Sequence, residues 1–175
     1  MLGPGAGEDA IAAAHERVAH LVAELAIAPD ALVQDGYADL LSEGPQGLLA
    51  AADAAMRNAH APYSRFKVGA AVRGASGSIY AGANVENAAY PQGQCAESSA
   101  LGALVTAGET KITAAAVVAE RLEHCPPCGG CRQRLAEFGD RDVPVHLGRP
   151  RAGAPLTVTL GELLPGSFGS EALDA

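Results

Sequence analysis

From Leu48 onward, helical and strand-like hydrophobic periods alternate along the chain, and that alternation restricts the fold more than any other feature. Leu48, Leu49, Ala52, Ala55, Met56 and Ala59 recur at helical spacing. This predicts a helix that stops at Ala61-Pro62, because proline turns the residue before it away from helix. KVGAAVRG from Lys67 and SIYAGA up to Ala83 read as a hairpin closed by Ala75-Ser76-Gly77. A helix over 95–107, the apolar strand ITAAAVVAE, a helix over 128–138 and the strand VPVHLG follow. The sum is a layered α/β domain with a mixed sheet.

Upstream, Ile11, Ala14, Val18, Leu21, Val22 and Leu25 share one face of a helix that ends before Pro29. A short apolar stretch around Leu40 and Leu41 then runs into Gly44-Pro45-Gln46-Gly47, a cluster of breakers. The expected organisation is an acidic helical extension over 1–46 and a main domain over 47–175. Eight acids face the single base Arg17 in the first 47 residues, and the whole chain carries a formal charge of -8. Such a balance disfavours wrapping of phosphate backbones, which relies on clustered Lys and Arg, so no nucleic-acid partner is expected. No apolar run approaches the roughly 18 residues needed to cross a bilayer, so no membrane partner is expected either. The opening MLGPGAGEDA has neither the basic start nor the apolar stretch of a secretory signal. A cytoplasmic location with reduced cysteines is the expectation.

Three of the four cysteines lie in CPPCGGC, residues 125–131, and the fourth is Cys95. A closed zinc site would use all four thiolates. An iron–sulfur site would need another cysteine soon after Cys131, where Arg132, Gln133 and Arg134 stand instead. An open zinc site would use Cys95, Cys128 and Cys131, omit Cys125 and leave one position for water. Two features favour the open site. Cys95 and Cys128 fall where helices should begin, and a helix N-terminus stabilises thiolate. Glu97 follows Cys95 by two residues, within reach of a metal-bound water, and a structural site has no use for it.

The blocks APYSRFKVGAAV, NVENAAYPQGQCAE, PPCGGCRQ and ELLPGSFG occur in that order. Over about residues 48–170 the chain resembles the small, one-domain, zinc-dependent cytidine deaminases. The resemblance implies a three-layer α/β/α fold with a mixed five-stranded sheet, and one Zn2+ per chain on Cys95, Cys128 and Cys131. It implies hydrolytic deamination of cytidine and 2'-deoxycytidine for pyrimidine salvage, by zinc-activated hydroxide with Glu97 carrying the proton. Asn84 and Glu86 match residues that bind the ribose hydroxyls, and Phe66, Ala96 and Tyr90 match others around the substrate. Phe168 matches an aromatic supplied by a neighbouring subunit, in keeping with a homotetramer whose active sites are shared.

The chain departs from its relatives at Ser98, where many carry an arginine that donates to thiolate sulfur. Ser98 and Arg132 are therefore candidates for supporting the thiolates from outside the ligand set. Gln94 stands where an apolar residue is usual, and Cys125 is extra. These departures keep open a deaminase of a modified or antibiotic cytosine nucleoside, as blasticidin S deaminase is. A noncatalytic zinc-binding interaction module is the alternative from another class.

Overall fold

The structure, a computed structural model, describes residues 44–150, 152 and 154–169. The apolar face over 11–25, the stretch around Leu40 and Leu41 and the rest of the acidic extension up to residue 43 fall outside these residues.

Helix α1 (Pro45–Arg57) begins inside the breaker cluster, two residues ahead of the expected boundary. Pro45 sits in its first turn, where the missing N–H has no partner to lose and the fixed φ already suits a helix. The cluster thus opens the helix. It closes at Arg57, before Ala61-Pro62, because His60 is drawn into strand-like pairing. The His60 N–H donates to the Asn84 carbonyl at 3.1 Å, and the His60 carbonyl accepts from the Glu86 N–H at 2.8 Å.

Five strands follow: β1 (Val68–Gly74), β2 (Ile79–Ala83), β3 (Ile112–Ala119), β4 (Pro144–Leu147) and β5 (Leu156–Thr159). They form one mixed sheet in the order β2-β1-β3-β4-β5, parallel between β3 and β4 and antiparallel elsewhere. Helix α2 (Ala96–Thr106) precedes β3, α3 (Gly129–Phe138) connects β3 to β4, and the single turn α4 (Leu160–Leu163) follows β5. β5 and α4 are too short to show a hydrophobic period of their own. A capping box in which Thr159 and Glu162 exchange hydrogen bonds starts α4.

Alternation along β1 and β3 divides the core. Ala71, Ala114, Ala116 and Val118 face Leu48, Leu49, Ala52 and Met56 of α1. Ala70, Val72, Ala115 and Val117 face Ala100, Leu101 and Leu104 of α2 and Leu135 of α3. Both faces are covered, which explains why these strands read as continuous apolar runs and not as alternating ones. The three-layer α/β/α arrangement follows directly.

Small residues let the layers approach closely. A Cβ at Gly82 of β2 would lie 2.4 Å from the backbone nitrogen of Ala100 and 2.7 Å from the carbonyl oxygen of Ala96, so α2 rests directly on that strand. The start of α2 is thereby set against the end of β2. In the sheet register Gly69 pairs with Ala83 on one side and Val118 on the other. The beginning of β1 and the ends of β2 and β3 therefore share one end of the sheet, and the segments 61–67, 84–95 and 120–128 converge there.

His146 on β4 pairs in register with Ala116 and is 7% exposed. Its Nδ1 lies 2.9 Å from Thr157 Oγ1. Burial holds its pKa below the ordinary 6.5, so the folded protein keeps the ring neutral. Below about pH 6.5 the unfolded chain takes up a proton that the folded one refuses, and stability falls with falling pH. Urea unfolding at pH 7.5 and 5.5 is expected to show this loss, at no more than about 1.4 kcal/mol per pH unit from this residue. His146→Gln should flatten that part of the profile; an unchanged slope would remove His146 as its source.

Candidate metal centre and cavity

Cys95 is the N-cap of α2 and Cys128 the N-cap of α3, each in extended conformation. Their carbonyls accept the first helical bonds, from Ser99 N–H at 3.1 Å and Arg132 N–H at 2.9 Å. Cys131 lies in the first turn of α3 and is fully buried. The sulfurs of Cys95, Cys128 and Cys131 all lie within 4.8 Å of one another, with 3.9 Å between Cys95 and Cys128. A tetrahedral zinc with bonds of about 2.3 Å holds its sulfurs about 3.8 Å apart, so the donor set fits that ion.

Electrostatics agree with the fit. Burial, with Glu97 nearby, pushes the Cys131 thiol well up, and burial likewise raises Cys95. Burial also opposes ionisation of Cys128, but donation to its sulfur from the Cys131 backbone and from the neighbouring thiols holds it below the ordinary thiol value. A pocket that resists thiolates by burial and a nearby carboxylate accepts them once a dication is present. Cys125 stands outside the group, its thiol raised by burial and then by Glu97. Its side chain packs against the core on the α2 side of the sheet.

A cavity of about 700 Å³ opens beside Cys95 and Cys128. Phe66, Asn84, Glu86, Tyr90, Gln94, Ala96, Glu97 and Cys125 all line it. Glu97, in the first turn of α2, is only 5% exposed. Among the described residues no group donates a hydrogen bond to its carboxylate. Ala96 is fully buried beside it. Gln94 lines this cavity while its backbone pairs with Val85 in both directions at 2.8 Å.

Asn84 and Glu86 are partly occupied by the protein itself. Asn84 Oδ1 accepts from Val68 N–H at 2.8 Å, and its Nδ2 donates to the Phe66 carbonyl at 3.0 Å. Glu86 accepts from the Ser64 hydroxyl and from the N–H groups of Tyr63 at 2.8 Å and Ser64 at 3.2 Å. The Ser64 hydroxyl, followed by these backbone donors, holds its carboxyl below the usual range. Tyr90, on a 3-10 turn (Tyr90–Gln92), meets Tyr63 edge to face at 6.1 Å on the cavity rim. Sequence reasoning gave Tyr63 and Ser64 no role, although both stand in the block APYSRFKVGAAV.

The two candidates for supporting the thiolates, Ser98 and Arg132, have these surroundings in the fold. Ser98 follows Glu97 by one residue, a rotation of about 100° around the helix, and lines a separate hollow beside Leu101, Gly102 and Arg134. Arg132 donates to the carbonyls of Pro127 at 2.8 Å and Leu163 at 3.0 Å, and not to sulfur. It therefore fixes the loop entering Cys128 by its backbone. Phe168 is 62% exposed, lies outside its own chain's cavity, and is held through its carbonyl by Gln133 Nε2 at 2.8 Å.

Residues 43–147 match the family described as the cytidine and deoxycytidylate deaminase zinc-binding region. A cytidine deaminase of Halalkalibacterium halodurans is 44% identical over 126 residues, 72% of this chain and 95% of that protein. One from Mycobacterium tuberculosis is 40% identical over 120 residues, 68% of this chain and 85% of that protein. The crystal structure of cytidine deaminase from Burkholderia pseudomallei superposes with a TM-score of 0.67 at 41% identity, over 71% of this chain and 99% of that one.

Proposed function

Because the chain belongs to the cytidine and deoxycytidylate deaminase family through its zinc-binding region, we propose that it hydrolyses the C4 amine of cytidine and 2'-deoxycytidine. Water replaces the amine, giving uridine or 2'-deoxyuridine and ammonia, a step of pyrimidine salvage. The observation that carries this reading is Glu97, a residue only 5% exposed whose carboxylate has no donor among the described residues, on the cavity that reaches two of three grouped thiols.

Zinc held by Cys95, Cys128 and Cys131 would supply the Lewis acidity that lets water attack C4 near neutral pH. Glu97 accepts one proton of the attacking water and passes it to ring N3, then takes the remaining proton of the new C4 hydroxyl and delivers it to the amine, which leaves as ammonia while the C4 carbonyl forms. Phe66 and Ala96 bound the space for the base. Asn84 retains one acceptor site and one donor, and Glu86 retains a lone pair, so both can still meet ribose hydroxyls. Tyr90 closes the sugar end. Among the described residues no Lys, Arg or His lines the cavity, and Glu86 stands in it, which disfavours a 5'-phosphate. The exposed Phe168 suits a role in a neighbouring subunit's site, within a homotetramer. No helix among the described residues is long and apolar enough to cross a membrane.

Ammonia release should be followed with cytidine, deoxycytidine, cytosine and cytidine monophosphate separately. Turnover of the two nucleosides alone is expected. Failure of all four with zinc bound would turn attention to a modified nucleoside, with Gln94 and Cys125 as the residues that reshape the pocket.

A further inference from the structure

The segment 61–67 brings Phe66 to the cavity without regular secondary structure to hold it. Two opposite charges take up its peptide groups instead. The Glu86 carboxylate gathers the N–H groups of Tyr63 and Ser64. From beyond the end of β3, Arg121 Nη2 donates to the carbonyls of Ser64 at 3.0 Å and Arg65 at 2.8 Å. Arg65 itself has φ of 56°, a conformation that a residue with a Cβ adopts only when its surroundings insist on it. The Arg121 guanidinium carbon also lies 5.5 Å from the centroid of the Phe66 ring.

We infer that Arg121 is a positioning residue for the base, acting through Phe66 and the Ser64–Arg65 peptides from outside the cavity. It is not among the residues that line the cavity, so it has no direct path to the substrate. A guanidinium suits this task because the two N–H bonds of Nη2 can serve both carbonyls in the guanidinium plane while the face of that plane lies over an aromatic ring. Lysine keeps the charge and the donors but not the planar face. Methionine keeps the stem and none of these. The inference rests on the functional reading above, in which Phe66 meets the pyrimidine.

The test uses the zinc-loaded full chain: wild type, Arg121→Lys, Arg121→Met, Phe66→Ala and the double variant Phe66→Ala/Arg121→Met. Arg121→Met is expected to raise KM for cytidine about five- to twentyfold with little change in kcat, and Arg121→Lys to recover part of that. The double variant should match Phe66→Ala alone, because the effect of Arg121 passes through Phe66. Hydrogen exchange across 61–67 should quicken in Arg121→Met, with α2, α3 and zinc content unchanged. A wild-type KM in Arg121→Met, or losses that multiply in the double variant, would overturn the inference alone. A wild type that turns over no cytidine would overturn the functional reading and this inference with it.

Discussion

Glu97→Gln is expected to lower cytidine turnover by about 10²- to 10⁴-fold while the protein keeps its zinc and its melting temperature. Glutamine matches glutamate in shape and can fill the same first-turn site of α2, where Glu97 is 5% exposed. It can hydrogen-bond but cannot carry a proton between water, N3 and the leaving amine. Metal should not be lost, because the Glu97 charge works against ionisation of the cysteine ligands and its removal eases thiolate formation. Zinc content and steady-state rates on the same sample decide the matter. Turnover within tenfold of wild type would exclude Glu97 as the proton carrier, and a chain that never deaminated any nucleoside would fit the noncatalytic module instead.

Cys131→Ala should cost both metal and activity. Cys131 is fully buried in the first turn of α3, and its sulfur completes the group with Cys95 and Cys128. Loss of an outer partner of a ligand typically weakens a metal site 10- to 100-fold, so loss of a ligand should exceed about 100-fold. Dialysis against a chelator followed by elemental analysis reads this directly. Cys125→Ser is the matched control: its sulfur lies outside the group, so it should keep one zinc per chain and close to wild-type turnover. The opposite pattern, with zinc lost from Cys125→Ser and retained by Cys131→Ala, would revive a closed site using a different set of thiolates.

Much of the fold was legible because it is encoded locally. Both faces of β1 and β3 are buried, so VGAAVRG and ITAAAVVA stand out as apolar runs, and the helices from Cys95 and Cys128 show their starts. The grouping of Cys95, Cys128 and Cys131 and the placement of Glu97 on the cavity were legible for the same reason, since each is placed by a helix N-terminus next to it in sequence. β5 and α4, at four residues each, offer no period to detect. Pro45 read as a breaker, when its position made it an initiator.

By itself, then, the sequence determined the strands, the helices and the ends at which the thiols sit, because short-range periodicity and capping act within a few residues. Tertiary structure alone decided what Ser98 and Arg132 meet and which side chain holds the loop. Ser98 turned away by one helical step, Arg132 took backbone carbonyls, and Arg121 met Ser64 across 57 positions of chain. Such contacts depend on how three chain segments converge at one end of a sheet, and no local pattern carries that information.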